Sequence, residues 1–501
     1  MTAEEATEAA VAAPTTEAAV KPLPVVRGWL LDPRLPAFWL VVGLIGVGGW
    51  QIGGLIRLAV SAYPLPSLVA LALFTLYAIP FIAVVRSLDY LEEEPPVLLT
   101  VAFLWGGVVA TSQAIPANAA VRDILAGLVS PRFADVWGPA ISAPLVEEIL
   151  KLLGVVAIVL LARVHINSTL DGFVYGALVG LGFQVVENFV YAVNAVAHAD
   201  HAGSRDWISP LLGSFVARGF IAGLWSHTMF TALAGAGVGY AVMRTERTRA
   251  RRYGVAVLAF AGAWAFHFGW DTPWLGDGFG FGIGGVVAVL VLKGLPGLVV
   301  VLLLVRAALR HEAAYYTTLL RRSGDLRLIT PDEVPMLVKG RNRLAARRHA
   351  RSLRGLRGAL AVHRLQRAQA RYAVELSRHV DGARGSGGEG VGARRTHALR
   401  RREVEVRNAR QRINALGIEL VTAPEGALHG WTGLASILCG LFGVFFPPAL
   451  AISAALAAGG LLVARHRREL ADSWLVDGLM ISGIGTGLWL LSLFIFGTGG
   501  R

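Results

Sequence analysis

The sequence predicts an all-α protein that crosses a membrane several times as a polytopic transmembrane helix bundle. Hydrophobic residues make up 54% of the 501 positions and charged residues only 16%, a balance that a soluble domain of this size could not hide from water. Apolar runs of roughly 20 residues, the length that crosses a hydrocarbon layer of about 30 Å, recur between charged, Pro and Gly positions. Lipid is therefore the expected solvent for most of the chain.

Eight such runs before residue 310 predict an eight-helix core over residues 37–305. Their expected spans are 37–57, 66–85, 98–118, 138–162, 169–195, 211–243, 254–271 and 282–305. The sixth run is too long for one straight crossing. We therefore expect it to begin with a re-entrant turn near Gly219 to Gly223.

The positive charge of the short loops predicts the orientation. Five arginines lie between Arg244 and Arg252, and such loops stay in the cytoplasm. With eight spans, residues 1–36 then lie on the same side as a cytoplasmic N-terminus, and their Ala-, Glu-, Thr- and Pro-rich composition predicts disorder. The acidic loop Glu92 to Glu94 is then cytoplasmic too, and its negative charge does not support this orientation. We expect a multi-pass protein of the plasma membrane.

The net charge of +13 comes from a single segment. Residues 306–428 contain 26 Lys plus Arg against 11 Asp plus Glu, a balance of +15. This segment is expected to be cytoplasmic, helical in part, and able to touch anionic lipid. Nucleic-acid binding is not expected, because no compact recognition motif accompanies the charge.

The C-terminal residues 429–501 predict additional transmembrane helices. A hydrophobic block is interrupted at Pro447 and Pro448, which favours a hairpin of two short helices, and a last span follows over Trp474 to Phe496. The lone Cys439 excludes an internal disulfide and a zinc site built on several cysteines.

The fourth span carries two carboxylates and an amine where each costs several kcal/mol. Lys151 lies one helical turn from both Glu147 and Glu148. It can pair with one acid and keep it ionised, which leaves the other to titrate as a general acid or base. A glutamate and lysine that merely satisfy each other at a helix contact would explain one acid but not both.

The next three spans each add polar groups: Glu187 with Asn188, then His227, then His267 with Asp271 four residues later on the same helical face. Singly, each has a plain structural role, such as a packing histidine, a helix cap or helix-helix hydrogen bonding. With the fourth span included, a separate structural explanation would have to hold for each of four consecutive spans. We therefore expect one shared cavity, which the predicted topology opens to the outer face.

Such a cavity supports peptide hydrolysis by an activated water. In one mechanism a glutamate is the base and the imidazoles stabilise the oxyanion. In the other, His227, His267 and Glu187 hold a zinc ion that keeps a position open for the water. The sequence leaves both open, because it contains no HExxH helix.

These motifs, Glu147-Glu148-x-x-Lys151, Phe183-x-x-x-Glu187-Asn188, His227 and His267-x-x-x-Asp271, resemble the PrsW family of bacterial intramembrane proteases. That family is related to the CAAX-processing prenyl endopeptidases and to the anterior-pharynx-defective subunit of gamma-secretase. The resemblance covers about residues 37–305. It implies an eight-helix core and site-1 cleavage of membrane-anchored anti-sigma factors or similar single-span substrates near the outer face.

The resemblance also implies roles for the polar residues. Glu147 and Glu148 would be the catalytic carboxylates, and Lys151 and Asn188 would support the site. The residues expected to complete it as ligands or oxyanion groups are Glu187, His227, His267 and Asp271.

Three alternatives remain open. A transporter or proton-coupled carrier also needs buried acids and broken helices, but the acid motif is not repeated along the chain. A non-catalytic scaffold like the gamma-secretase subunit would keep the helices without the chemistry. A CAAX-type endopeptidase would have its site on the cytoplasmic side.

Overall fold

The chain folds as a helical bundle. A computed structural model describes residues 31–223, 226–274, 285, 289–383, 389–420, 454–455 and 457–459. It is 86% helical and without strands in these residues, so the all-α prediction is confirmed there. Within the described residues, six helices are long and apolar enough to cross a membrane. The chain is therefore a multi-pass membrane protein, while the eight-helix core stays a prediction.

The described part of the chain contains the following helices, besides a short 3₁₀ helix at Arg163–His165. They are α1 (Pro36–Ala62), α2 (Pro64–Leu88), α3 (Pro96–Leu128), α4 (Pro131–Ala162), α5 (Thr169–His201), α6 (Ile208–Ser214, continued by a π turn Phe215–Ile221), α7 (His227–Met243), α8 (Arg249–Asp271), α9 (a π turn Leu290–Gly294, continued by Leu295–Ser323), α10 (Val334–Val338), α11 (Gly340–Ala383) and α12 (Glu389–Ala415).

Local sequence signals set several helix starts. Each of α1 to α4 begins at a proline, whose fixed φ and missing N–H suit the first helical position. Ser130 caps α4 by accepting a hydrogen bond from the Phe133 N–H. Ser168 and Asp171 form a reciprocal capping box at the start of α5.

The sixth predicted span is broken, as its length suggested. Its first part ends in the π turn at Ile221, and α7 begins only at His227. Gln184 of α5 holds this break, because its amide donates to the Gly223 carbonyl at 3.3 Å and its oxygen accepts from the Thr228 hydroxyl at 2.8 Å. His227 consequently occupies the first turn of a helix in the interior of the bundle.

Other expectations fall on parts of the chain that are not described. Of the eighth predicted span, 282–305, only residue 285 and residues 289–305 are described. The tail before residue 31 lies outside the described residues, as does nearly all of the C-terminal stretch 429–501. The domain boundaries predicted from the sequence therefore stay predictions.

Helix α5 is the centre of the bundle and the most buried of the candidate spans. Gly172, Gly176 and Gly180 lie four residues apart on its face towards α7. A Cβ at Gly180 would overlap the His227 carbonyl oxygen, and Cβ atoms at the other two would overlap the α7 backbone. Small residues at this spacing allow two helix backbones to approach closely, and here they position His227.

We expect Gly180→Ala to push the start of α7 away and so to reduce the activity of the site by at least about tenfold, as misplacement by about 1 Å does elsewhere. Gly46→Ala is the matched control, because no atom lies within 4 Å of a Cβ built at that position. Cleavage of a co-expressed membrane substrate, normalised to the amount of inserted protein, is the measurement. Equal cleavage by the two variants would contradict this role of Gly180.

The basic segment forms a second hydrophobic cluster. Its buried residues come from the end of α9, from α10, α11 and α12, and from the loop between α2 and α3. The helical expectation for this segment agrees with α11 and α12, and α11 bends at Gly355, whose φ of 61° is in the left-handed region. The cluster thus joins the basic helices to a loop of the membrane bundle.

Tyr90 is the centre of that junction. Its ring lies under the guanidinium groups of Arg343 at 3.8 Å and Arg367 at 4.5 Å from the ring centroid. Arg347 donates to its hydroxyl at 3.1 Å. Arg367 also pairs with Glu93. Cation–π and ionic contacts together account for the position of the acidic loop against a basic segment.

Two acids of the same loop are buried outside the spans. Burial raises the pKa of Asp89 from 3.8 to about 7 and the pKa of Glu94 from 4.5 to about 10. Asp89 accepts a hydrogen bond from the Glu94 N–H at 2.7 Å, and Tyr175 donates to Glu94. A protonated acid is therefore the form that the folded loop favours.

Because the folded pKa of Asp89 lies above its unfolded value, the folded protein binds more protons between about pH 4 and 7. The stability contributed by Asp89 is thus fully present below about pH 4 and is lost as the pH rises to about 7. Asp89→Asn should reduce the slope of the free energy of unfolding against pH in this range, by at most about 1.4 kcal/mol per pH unit. Thermal unfolding of the purified protein across pH 4 to 8, with exposed Asp332→Asn as control, tests it. An unchanged slope would refute it.

A buried carboxylate and imidazole cluster as the candidate active site

Helix α4 brings the two glutamates and the lysine into one contact. The Lys151 ammonium donates to Glu147 Oε2 at 3.1 Å and to Glu148 Oε1 at 2.9 Å. All three side chains are buried, and the ammonium lies 4.1 Å from the centre of the Phe183 ring. The sequence allowed Lys151 to pair with one acid, whereas the structure pairs it with both.

The two glutamates differ in their surroundings. Glu148 is fully enclosed, and His267 Nδ1 lies 2.9 Å from its Oε1. Glu147 lines a cavity of about 370 Å³, and its Oε1 accepts a hydrogen bond from Asn118 at 2.9 Å. Only Glu147 of the pair is therefore placed to meet a molecule in the cavity.

Glu187 and His227 meet across the interface of α5 and α7. His227 Nε2 lies 2.7 Å from Glu187 Oε2, and its Nδ1 lies 2.8 Å from the Lys151 ammonium. Since an ammonium only donates, Nδ1 accepts and the proton resides on Nε2. Arg218 of α6 donates to Glu187 at 2.7 Å and to the Asn188 oxygen at 2.8 Å.

His267 and Asp271 complete the cluster from α8. Asp271 Oδ2 lies 3.2 Å from His267 Nε2, and Glu148 contacts the opposite ring nitrogen. Both nitrogens of His267 therefore face carboxylates. The rings of His227 and His267 are 5.0 Å apart between centroids, and Phe230 stacks on His267. The end of α8 is held by Lys293, which donates to the Thr272 carbonyl at 2.7 Å.

The structure brings together every site residue that the sequence singled out. Those that line the cavity are Glu147, Glu187, Asn188, His227, His267 and Asp271. Glu148 and Lys151 lie behind them and touch them directly.

Sequence reasoning missed Asn118, Gln184 and the glycines of α5. Asn118 is an isolated amide in the third span, and nothing in the chain marks it as close to Glu147. The glycines did carry a signal, because their four-residue spacing on one helix is typical of close helix contacts.

One comparison with known proteins identifies the family that this region resembles. A model of the PrsW family intramembrane metalloproteases matches residues 94–304. Residues 94–304 form a PrsW-family domain. The match begins at the last residues of the loop before α3, so α1 and α2, which the resemblance was expected to include, lie outside it. No curated protein and no solved structure gave a match.

The PrsW family consists of hydrolases that act within membranes, which confirms the enzyme prediction. It also favours a peptidase over the transporter and scaffold alternatives. The matched residues span α3 to the first half of α9 and include every group of the cluster.

A PrsW-family metalloprotease is expected to bind a metal, and this cluster suits one by ligand type. Glu147, His227 and His267 can each offer an atom within 4.8 Å of the others, the His and carboxylate set of catalytic zinc. The sequence analysis predicts Glu187 as the carboxylate ligand of the metal. In the structure Glu187 and Asp271 instead contact the imidazoles, as carboxylates behind zinc-bound histidines do.

The charges of the cluster also suit a divalent ion. Four carboxylates, Glu147, Glu148, Glu187 and Asp271, meet two fixed cations, Lys151 and Arg218. With neutral imidazoles this leaves two negative charges in a largely buried site. Buried charges need compensation, which one zinc ion or two added protons would supply.

The purified protein should therefore contain about one zinc ion per chain, and His227→Ala and His267→Ala should lose it. Exposed His198→Ala is the matched control and should keep the metal. Elemental analysis of protein prepared without chelators provides the measurement. Wild-type protein that lacks zinc and cleaves its substrate in the presence of a strong chelator would show that protons balance the cluster instead.

Proposed function

We propose that this chain is an intramembrane endopeptidase that hydrolyses single-span, membrane-anchored proteins, with Glu147 as the general base. The observation that carries the proposal is the position of Glu147. It is buried, it lines the cavity, and two imidazoles from separate helices lie beside it. A carboxylate in such a place can take a proton from water next to a substrate carbonyl.

The neighbouring groups have complementary tasks. The His227 and His267 rings line the cavity beside Glu147, where they would serve as metal ligands. Glu187 and Asp271 orient these rings through their Nε2 atoms. The Lys151 ammonium keeps the enclosed Glu148 ionised by direct pairing. If Glu147, His227 and His267 hold a zinc ion, Glu147 would act as a ligand, and the metal would polarise the carbonyl and activate the water in its place.

The proposed topology places the cluster in the outer half of the plasma membrane, with the N-terminus in the cytoplasm. Helix α5 begins beside the basic helices and the acidic loop, near Asp171, and reaches Glu187 sixteen residues later, about 24 Å along the axis. Arginines are concentrated between α7 and α8 and on α11 and α12. They support a cytoplasmic position for the end of the bundle at which α5 begins, opposite the cluster.

The proposed substrates are single-span proteins of the anti-sigma-factor type, cut at a first site near the outer face. This substrate class rests on the resemblance to the PrsW family. The second proposed partner is anionic lipid, which the exposed arginines of α11, among them Arg351 and Arg357, could contact at the cytoplasmic surface.

Glu147→Gln should abolish cleavage of a co-expressed single-span substrate, with a loss of at least about 100-fold, because the amide cannot accept the proton. Glu148→Gln should also lower cleavage, by loosening Lys151 and His267. The control is Asp135→Asn, an exposed carboxylate on the same helix. Product formation is measured at equal amounts of inserted protein. Wild-type cleavage by Glu147→Gln would refute its role as base.

A further inference from the structure

Two asparagines in the cavity each have one polar atom without a hydrogen-bond partner. They are Asn118 Oδ1 and Asn188 Nδ2. Among the described residues, these two are the only buried, unpartnered side-chain atoms that belong to the wall of the cavity. An unsatisfied buried polar group is destabilising, and its presence in a folded protein calls for a reason.

Charged neighbours determine which atom of each amide is left over. Arg218 Nε donates to the Asn188 amide at 2.8 Å, and a guanidinium can only donate, so the contacted atom is the oxygen and the NH₂ group remains. Glu147 Oε1 contacts the Asn118 amide at 2.9 Å, and a carboxylate can only accept, so the contacted atom is the nitrogen and the oxygen remains. Flipping either amide would break a contact with a charged group.

The residues that line the cavity therefore include one spare acceptor on α3 and one spare donor on α5, each with almost no accessible surface before a substrate binds. A peptide main chain presents one N–H donor and one C=O acceptor per residue. In a transmembrane helix those groups bond to each other, and cleavage requires that they be released where no lipid can satisfy them. The two spare amide groups are complementary to a main chain released in this way.

We infer that Asn118 and Asn188 form a subsite for the main chain of a locally unwound substrate. A substrate N–H donates to Asn118 Oδ1, and a substrate C=O accepts from Asn188 Nδ2. Recognition at this subsite is independent of side chains, so it selects unwound peptide rather than a sequence. This inference rests on the proposed endopeptidase function.

The subsite is linked directly to the proposed chemistry. Asn118 holds the Oε1 atom of Glu147, and Asn188 shares Arg218 with Glu187. A peptide bound to both amides is thus placed beside the proposed base. Asn188 is 1% exposed and Arg218 holds its amide oxygen, so a bound peptide reaches the free N–H group by displacing the side chains packed over it.

The first test replaces the donor alone. Asn188→Asp keeps the size of the side chain and the oxygen that Arg218 contacts, but it turns the spare donor into an acceptor. The probe is a synthetic single-span peptide that the purified full-length protein cleaves in lipid vesicles. We expect KM to rise about tenfold with a much smaller change in kcat, as the loss of one hydrogen bond to a bound peptide predicts.

Asn194→Asp is the matched control, since this exposed asparagine lies on the same helix and wall and has no part in the subsite. Its KM should stay at the wild-type value. An unchanged KM in Asn188→Asp, with folding verified by thermal unfolding, would overturn the assignment of Asn188. Equal increases in both variants would do so too, because they would report only an added charge.

A second test does not depend on whether a variant of Asn188 folds. Peptides in which one amide is replaced by an ester lack a single main-chain N–H. One ester position near the cleaved bond should raise the wild-type KM about tenfold, and Asn118→Ala should remove that penalty. If no position matters in wild type, water satisfies Asn118 and the subsite is wrong. If wild type cleaves no membrane peptide at all, the proposed function itself fails.

Discussion

The contact of Lys151 with Glu147 and Glu148 is the constraint on which the rest of the site depends. Three buried ionisable side chains lie on adjacent turns of one helix. Removing one partner of a buried ion pair costs about 3–5 kcal/mol, because a charge is left uncompensated. The neighbouring helices must therefore supply polar groups in matching positions. His227, His267 and Thr231 do so, which explains why the polar residues of α7 and α8 converge on α4.

Convergence of this kind requires backbones that approach closely. The glycines on α5 let α7 pack without intervening side chains, and Gly106 and Gly182 do the same where α3 crosses α5. Helix α3 contains a π turn at Trp105–Ala110, and this turn and the break before α7 reorient the chain at the same level, in agreement with the frequent occurrence of π turns at functional sites. Rigid packing on one side and broken helices on the other leave a cavity at the cluster.

The basic helices show a different balance of forces. Their arginines do not simply face solvent, since Arg343, Arg347 and Arg367 enclose Tyr90 of the loop between α2 and α3. That loop leads into α3, which supplies Asn118 to Glu147. The basic segment and the cavity are thus joined by one continuous helix.

The sequence by itself determined the solvent of the chain, its all-α class and most of the polar side chains that converge on the cluster, because apolar length and the cost of buried charge are local properties. It could not determine that Glu147 lines the cavity while Glu148 is enclosed, that Lys151 pairs with both acids, or that Asn118 reaches Glu147. Adjacent residues on a helix differ by about 100° in direction, and only the packing of the other helices decides which direction meets a cavity. For the same reason, only the tertiary structure shows that Glu147, rather than Glu187, could share a metal ion with the two imidazoles.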